Sequence, residues 1–317
     1  YNRRQRTNKE TYGVLKNLIR KLESKYIDEV TTEKVQGLAG MLQSQGLSKA
    51  TILSYLSLLK TFFNWLIDDA EVLDGRNPVN KVRKPPRTSK VRDYLVKPEA
   101  IGRILKVHQI QKRIEVPIIE LTHFLVCTGA RLGEALHAEW QDFDLVKGIW
   151  RIIPKPECPT SYGLGWYPKW KKPRVIELIP EAKRVLQNLP RHQETWGSFR
   201  QDNELHWKKA DFVFTVNKKV KDKGMAEVRN VRISSVKRAW GNLLNEARVE
   251  PIQMKDLRTF FNWMLISHYG LSHKEAGAYL GNSEAVNYTH YTHVSLETLG
   301  VKLRGIGDQG MLTQLAA

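Results

Sequence analysis

A chain of 317 residues has room for two domains and a sizeable core, and its 51 lysines and arginines against 33 acidic residues give a formal charge of +18. That excess points to a polyanionic partner, most simply nucleic acid. Two cysteines, Cys127 in an apolar run and Cys158 in a Pro-rich connection, offer neither a disulfide framework nor a metal site and suit a reducing compartment, the cytoplasm or the nucleoid. No run approaches the roughly 20 apolar residues that cross a bilayer, so no membrane partner is expected. The chain begins at Tyr1 without a methionine, as a fragment would.

Residues 1–75 read as helical. Val14, Leu15, Leu18, Ile19 and Leu22 keep helical spacing, with Arg20, Lys21 and Lys25 on the other faces. Thr31 or Thr32 caps a helix carrying Val35, Leu38, Ala39 and Leu42, which Gly46 stops. Ser48 then caps the longest stripe of this half, Ile52, Leu53, Tyr55, Leu56, Leu59, Phe62, Phe63, Leu66 and Ile67. Such helices make a small bundle.

Residues 76–94 form a basic connection. It carries Arg76, Lys81, Arg83, Lys84, Arg87, Lys90 and Arg92, has three prolines and lacks helical periodicity. A charged, Pro-containing stretch is extended, and its self-repulsion is relieved beside phosphates. The same composition also suits an ordinary solvated connection, but its charge and its place between domains favour contact with DNA.

Residues 95–317 form the second domain. Pro98 opens a helix carrying Ile101, Ile104 and Leu105, and Pro117 opens another carrying Ile118, Leu121, Phe124 and Leu125 that ends at Thr128-Gly129. Beyond Asp142 the period switches to short strands, around Trp150 and Ile152 and again from Arg174 to Ile179, joined by the long PKPECPTSYGLGWYPKWKKP. A helix follows Pro180, the stretch HWKKADFVF has no assigned element, and Ser234 or Ser235 caps a stripe of Val236, Ala239, Trp240, Leu243 and Leu244. In KDLRTFFNWMLIS, Lys255 and Arg258 are three apart and share one turn. Ser272-His273-Lys274-Glu275 is a capping box for a further helix that Gly281 closes. Asn282 follows, with Tyr291 nine residues on and Tyr288 three residues before Tyr291.

Three segments, TGARLGEALHAEWQDFDL around Arg131, KDLR, and LGNSEAVNYTHYTHVSLE, together resemble the tyrosine recombinase or phage integrase family. The resemblance covers most of the chain. It implies a mainly α fold with a small β-sheet (α+β), in which a helical, SAM-like core-binding domain precedes a catalytic domain. The basic connection would let the two domains close around duplex DNA.

The resemblance also implies metal-free and cofactor-free attack of a phenol on a phosphodiester. Positioned cations stabilise the charge that grows on the phosphoryl oxygens, and the planar fork of arginine suits them best. Arg131 and Arg258 take the nonbridging oxygens. Tyr291 is the nucleophile and forms a 3′-phosphotyrosyl link, with Tyr288 as its rival. A lysine of the hairpin protonates the leaving 5′-oxygen. Lys155, Lys169, Lys171 and Lys172 all stand in that region, and Lys169 is preferred because it lies five residues before Arg174 at the start of a strand. Lys255 departs from the usual His of this motif but is still a cation that can orient phosphate or accept a proton. Asn282 departs further, from His or Trp, since an amide donates a hydrogen bond but relays no proton. Glu134 buttresses the first arginine.

The implied function is site-specific recombination by a phage or mobile-element integrase, working as a homo-tetramer on two duplex DNA sites, with a DNA-bending accessory protein as a further partner. The rivals are a type IB topoisomerase-like nicking and religating enzyme and a DNA-binding relative that has lost cleavage. The apolar tail from Leu299 to Leu315, after a Gly305-Ile306-Gly307 break, is expected to pack on a neighbouring protomer.

Overall fold

The computed structural model describes residues 5–86, 95–107, 116–160, 163–201, 204–222 and 225–291, and it leaves out the side chains of residues 5–10, 222, 225 and 289–291. Arg87, Lys90, Arg92 and the tail from Leu299 to Leu315 therefore lie outside the described residues. The chain divides into two compact units, residues 1–90 and 91–317.

In the first unit Thr31 and Ser48 start two helices through their hydroxyl oxygens, which accept from the Lys34 and Thr51 backbone N–H groups. These are α2 (Thr32–Ser44) and α3 (Lys49–Asn64), preceded by α1 (Gln5–Lys21). Gly46, at φ 78°, turns the chain between them in a conformation that suits glycine. Leu18, Leu22, Val35, Leu38, Leu42, Ile52, Leu56, Leu59 and Phe63 fill the core. The continuous helical stretch Lys49–Asp69, which loosens into a π-turn over Trp65–Asp69, is long and apolar enough by composition to cross a bilayer. That corrects the expectation that no run of such length occurs. Its apolar stripe, however, is buried in this core, as in a helix that packs on other helices.

The start of the basic connection also belongs to this unit. Val79 and Val82 are buried with the helices, Asn77 Nδ2 donates to the Lys60 carbonyl at 2.8 Å, and the Arg83 N–H donates to Gln36 at 2.8 Å. The division between units falls near residue 90, inside the expected connection of residues 76–94, and two valines anchor the first turns of that connection.

The second unit is built on α5 (Ile118–Thr128), whose Ile118, Leu121 and Phe124 have no exposed surface. Phe124 lies against Phe143, Trp150 and Phe214. Before it comes α4 (Pro98–Leu105), and after it α6 (Leu132–Leu136). Strands β1 (Phe143–Asp144), β2 (Ile149–Ile152) and β5 (Arg174–Glu177) form an antiparallel sheet in that order. The long connection between β2 and β5 holds a hairpin of its own, β3 (Lys155–Thr160) with β4 (Gly163–Trp166). Helix α7 (Pro180–Asn188) follows.

A second, four-stranded sheet then appears where the sequence pattern assigns no element: β6 (Trp196–Gln201), β7 (Glu204–Lys209), β8 (Thr215–Asp222) and β9 (Met225–Arg232), in the order β7-β6-β9-β8. Helices α8 (Lys237–Glu246), α9 (Met254–Ser267), α10 (His273–Leu280) and α11 (Glu284–Tyr291) complete the unit. Helix α8 starts after Val236, so Ser235 stands just outside it. The described architecture is mainly α with small sheets.

Candidate active site

Helix α5 ends at Gly129, whose φ of 58° reverses the chain so that Arg131 opens α6. Glu134, one turn on, accepts from the Arg131 backbone N–H at 2.8 Å and from Arg131 Nη1 at 2.9 Å. The first residue of β5, Arg174, grips the same carboxylate with both terminal nitrogens, at 2.8 and 2.6 Å. Burial alone would raise the Glu134 pKa, but the hydrogen bonds and charges of Arg174 and Arg131 hold it at about 2. The carboxylate therefore stays ionised and fixes two guanidinium groups in place.

Arg258 lies in the first half of α9 and is only 4% exposed. It donates to the Gly129 carbonyl at 2.7 Å and to the Leu280 carbonyl at 2.6 Å, tying together the ends of α5 and α10. Gly281, at φ 71°, closes α10 and delivers Asn282. Asn282 Oδ1 accepts from Arg131 Nη2 at 3.0 Å and from Arg258 Nη2 at 3.3 Å, while its Nδ2 is buried with no hydrogen-bond partner among the described residues. Residues 151 and 24 positions apart in sequence from Asn282 thus converge on one oxygen.

Lys255 is exposed on the first turn of α9, three residues before Arg258. Lys169 is exposed too, in a short 3₁₀ turn that leads into β5. Trp170 and Lys171 beside it hold φ values of 64° and 54°, a conformation that carries strain for residues with a side chain. No hydrogen bond joins Lys255 or Lys169 to the arginine cluster among the described residues.

The other candidate lysines have different surroundings. Lys155 is partly buried, donates to the His137 carbonyl at 2.8 Å and pairs with Asp142 and with Glu139. Lys171 sits 5.1 Å from the Tyr167 ring, and Lys172 is exposed. Tyr291 ends α11; its side chain is outside the described residues. Tyr288 is 66% exposed, with its ring against His273.

Two features escape a reading of the sequence. Arg174 marks there only the position of Lys169, although an arginine that opens a strand opposite an Arg-x-x-Glu turn has a carboxylate to bind. Asn262 of α9 and Asn287 of α11 are both fully buried and bond to each other, and lone asparagines in helical stretches give no such signal.

The first unit matches the family described as phage integrase, N-terminal SAM-like domain, over residues 3–70. Tyrosine recombinase XerD of Oceanobacillus iheyensis is 26% identical over 160 residues, which are 50% of this chain and 48% of the relative. The tyrosine recombinase XerC-like protein of Caldanaerobacter subterraneus subsp. tengcongensis is 25% identical over 183 residues, 58% of this chain and 43% of the relative. These matches span about half the length of the curated relatives. Among solved structures, the Tn1549 transposon integrase in complex with a circular intermediate DNA superposes with a TM-score of 0.62 at 17% identity, covering 96% of this chain and 94% of that one. A lambda integrase dimer bound to a COC′ core site gives 0.63 at 16% identity, over 93% and 91% of the two chains. These two likenesses bear on the fold alone. The first unit is thus SAM-like, the curated sequences that the chain matches are tyrosine recombinases, and its fold is like that of the solved integrases.

Proposed function

We propose that the protein is a site-specific DNA recombinase that cuts and rejoins duplex DNA through a 3′-phosphotyrosyl intermediate. The observation that carries this reading is the convergence of Arg131 and Arg258 on Asn282 Oδ1. Two guanidinium groups held by a shared acceptor have their spacing fixed before substrate arrives, and the charge of both would act on the nonbridging oxygens. Asn282 Nδ2 adds a neutral donor from the same point.

In the proposed step Tyr291 Oη bonds to phosphorus as the bond from phosphorus to the 5′-oxygen breaks. The phenolic proton passes to water, Lys255 lends its charge to the phosphate, and Lys169 gives a proton to the departing 5′-oxygen. The new ester retains the phosphodiester's energy, so attack by a 5′-hydroxyl reverses the step without ATP. Lys155 suits the acid's role poorly, because two carboxylates already hold its ammonium. Lys169 is free of such pairing in the described residues and leads directly into the strand whose first residue, Arg174, clasps Glu134.

For partners, the reading takes duplex DNA and a homo-tetramer on two sites. The lambda integrase, similar in fold, has been seen as a tetramer bound to a Holliday junction. The exposed Arg76, Lys81 and Lys84 would meet flanking phosphates, and the place of action would be the nucleoid. A DNA-bending accessory protein remains part of the proposal.

The test is a nicked suicide duplex incubated with the full chain. Covalent protein–DNA product with a free 5′-hydroxyl supports the reading. Tight binding with no covalent product from any duplex tried, at any pH from about 6 to 9, would replace it with a DNA-binding role.

A further inference from the structure

The sheet β6–β9 and helix α8 contribute no residue to the arginine cluster, yet they enclose a groove of about 1150 Å³. Four exposed cations line it: Lys218 and Lys219 from β8, and Lys237 and Arg238 from the first turn of α8. Among the described residues, no acidic side chain lines the groove. The contrast with adjacent lysines is informative. Lys208 pairs with Glu157 and Lys209 with Glu194, whereas Lys218, Lys219, Lys237 and Arg238 form no salt bridge among the described residues.

Helix α8 sharpens the point. Its first turn holds two cations and no acidic residue, at the end where the backbone already presents positive charge. That arrangement is unfavourable alone and is relieved when an anion sits against it. The remaining polar groups have the same preference. Ser234, Ser235 and Asn242 line the groove beside the helix, and the Trp207 indole N–H, buried at its wall, has no acceptor in the described residues. Lysine, arginine, serine and asparagine donors beside a helix start are the groups that contact phosphodiester backbones.

We infer that this groove is a second DNA-contact surface, which takes the sugar–phosphate backbone of duplex outside the cleaved phosphodiester. It rests on the recombinase reading only for the identity of the polyanion. Its contribution is independent of sequence, and it adds register and affinity without reading bases. An acidic peptide is the less favoured occupant, since the cations sit beside hydroxyl, amide and indole donors that suit phosphate oxygens.

The experiment uses the full chain and one duplex of about 40 base pairs, with affinity measured against salt concentration. Two paired variants, Lys218→Gln with Lys219→Gln and Lys237→Gln with Arg238→Gln, are compared with a control pair, Lys106→Gln with Lys147→Gln. All six positions are exposed, and equal melting temperatures would verify that folding is unaffected. Each groove pair should lower the slope of log K against log salt by roughly 0.9 for every phosphate that is no longer neutralised, with the control pair unchanged. Groove pairs that match the control would overturn the inference. Unchanged DNA binding with loss of poly-glutamate binding would assign the groove to an acidic protein and overturn it equally. Because the readout is binding, it decides the groove even if the suicide duplex yields no covalent product and the catalytic reading fails.

Discussion

The side-chain amides of Asn262 and Asn287 pair with each other, Asn287 Nδ2 donating to Asn262 Oδ1 at 2.6 Å, and neither residue has exposed surface. Asn262 stands one turn after Arg258 on α9, and Asn287 one turn before Tyr291 on α11. The pair therefore ties the helix of one proposed phosphate ligand, Arg258, to the helix of the proposed nucleophile. Asn287→Ala should lower stability by about 1–3 kcal/mol, the consequence of stranding a buried amide. Single-turnover cleavage should fall further than DNA binding does. A loss of binding equal to the loss of rate would mean that the pair serves folding alone.

Glu134 predicts an acid-sensitive site. Its carboxyl titrates near its ordinary 4.5 when unfolded and near 2 when folded, so the depressed value adds stability that is complete above about 4.5 and is lost as pH falls towards 2. Glu134→Gln should remove that pH dependence and, by leaving Arg174 and Arg131 without their anion, cost about 3–5 kcal/mol at neutral pH. Thermal melting of both proteins from about pH 2 to 7 checks it.

Gly129 is fixed by both its conformation and its surroundings. A Cβ there would lie 2.5 Å from Phe261 Cδ1 and 2.7 Å from Leu280 Cδ2, at a φ of 58°. Gly129→Ala should destabilise the fold by roughly 1–3 kcal/mol from overpacking, with a further 1–3 kcal/mol from the left-handed backbone. The Gly129 carbonyl also accepts from Arg258, so phosphate binding should weaken in whatever protein remains folded. Denaturant titration and DNA binding of the same sample measure the two effects.

The departures at Lys255 and Asn282 predict unequal roles. Lys255→Ala removes an exposed cation and should slow cleavage on the order of 10² to 10⁴. Asn282→Ala removes the acceptor shared by two guanidinium groups, so it should loosen both and cost more than the single hydrogen bond of about 0.5–1.5 kcal/mol. Single-turnover rates on a suicide duplex, measured beside DNA affinity, compare the two variants.

Much of this is legible in the residues. The caps at Thr31, Ser48 and Ser272 and the stop at Gly281 are local hydrogen-bonding and dihedral signals, and each falls where the sequence predicts it. The sheet β6–β9 is not legible by the same means. Its strands mix charges with scattered aromatics, and the shared burial that would give an alternating pattern is weak on an exposed sheet. The available signal is turn chemistry: Asp202-Asn203 and Lys223-Gly224 each separate two such runs by two residues. At the site, Arg131, Arg258 and Asn282 stand out from their motifs. The clasp of Arg174 on Glu134 is a long-range contact that no local pattern encodes.

The covalent adduct offers the most direct decision. Protein trapped on a suicide duplex in EDTA, digested with protease and mapped, should carry its DNA on Tyr291 through the 3′-phosphate, and Tyr291→Phe should give no adduct while Tyr288→Phe gives the parental amount. DNA attached to Tyr288, or trapping that requires Mg²⁺, would contradict the assignment of Tyr291 as the nucleophile of a metal-free strand transfer.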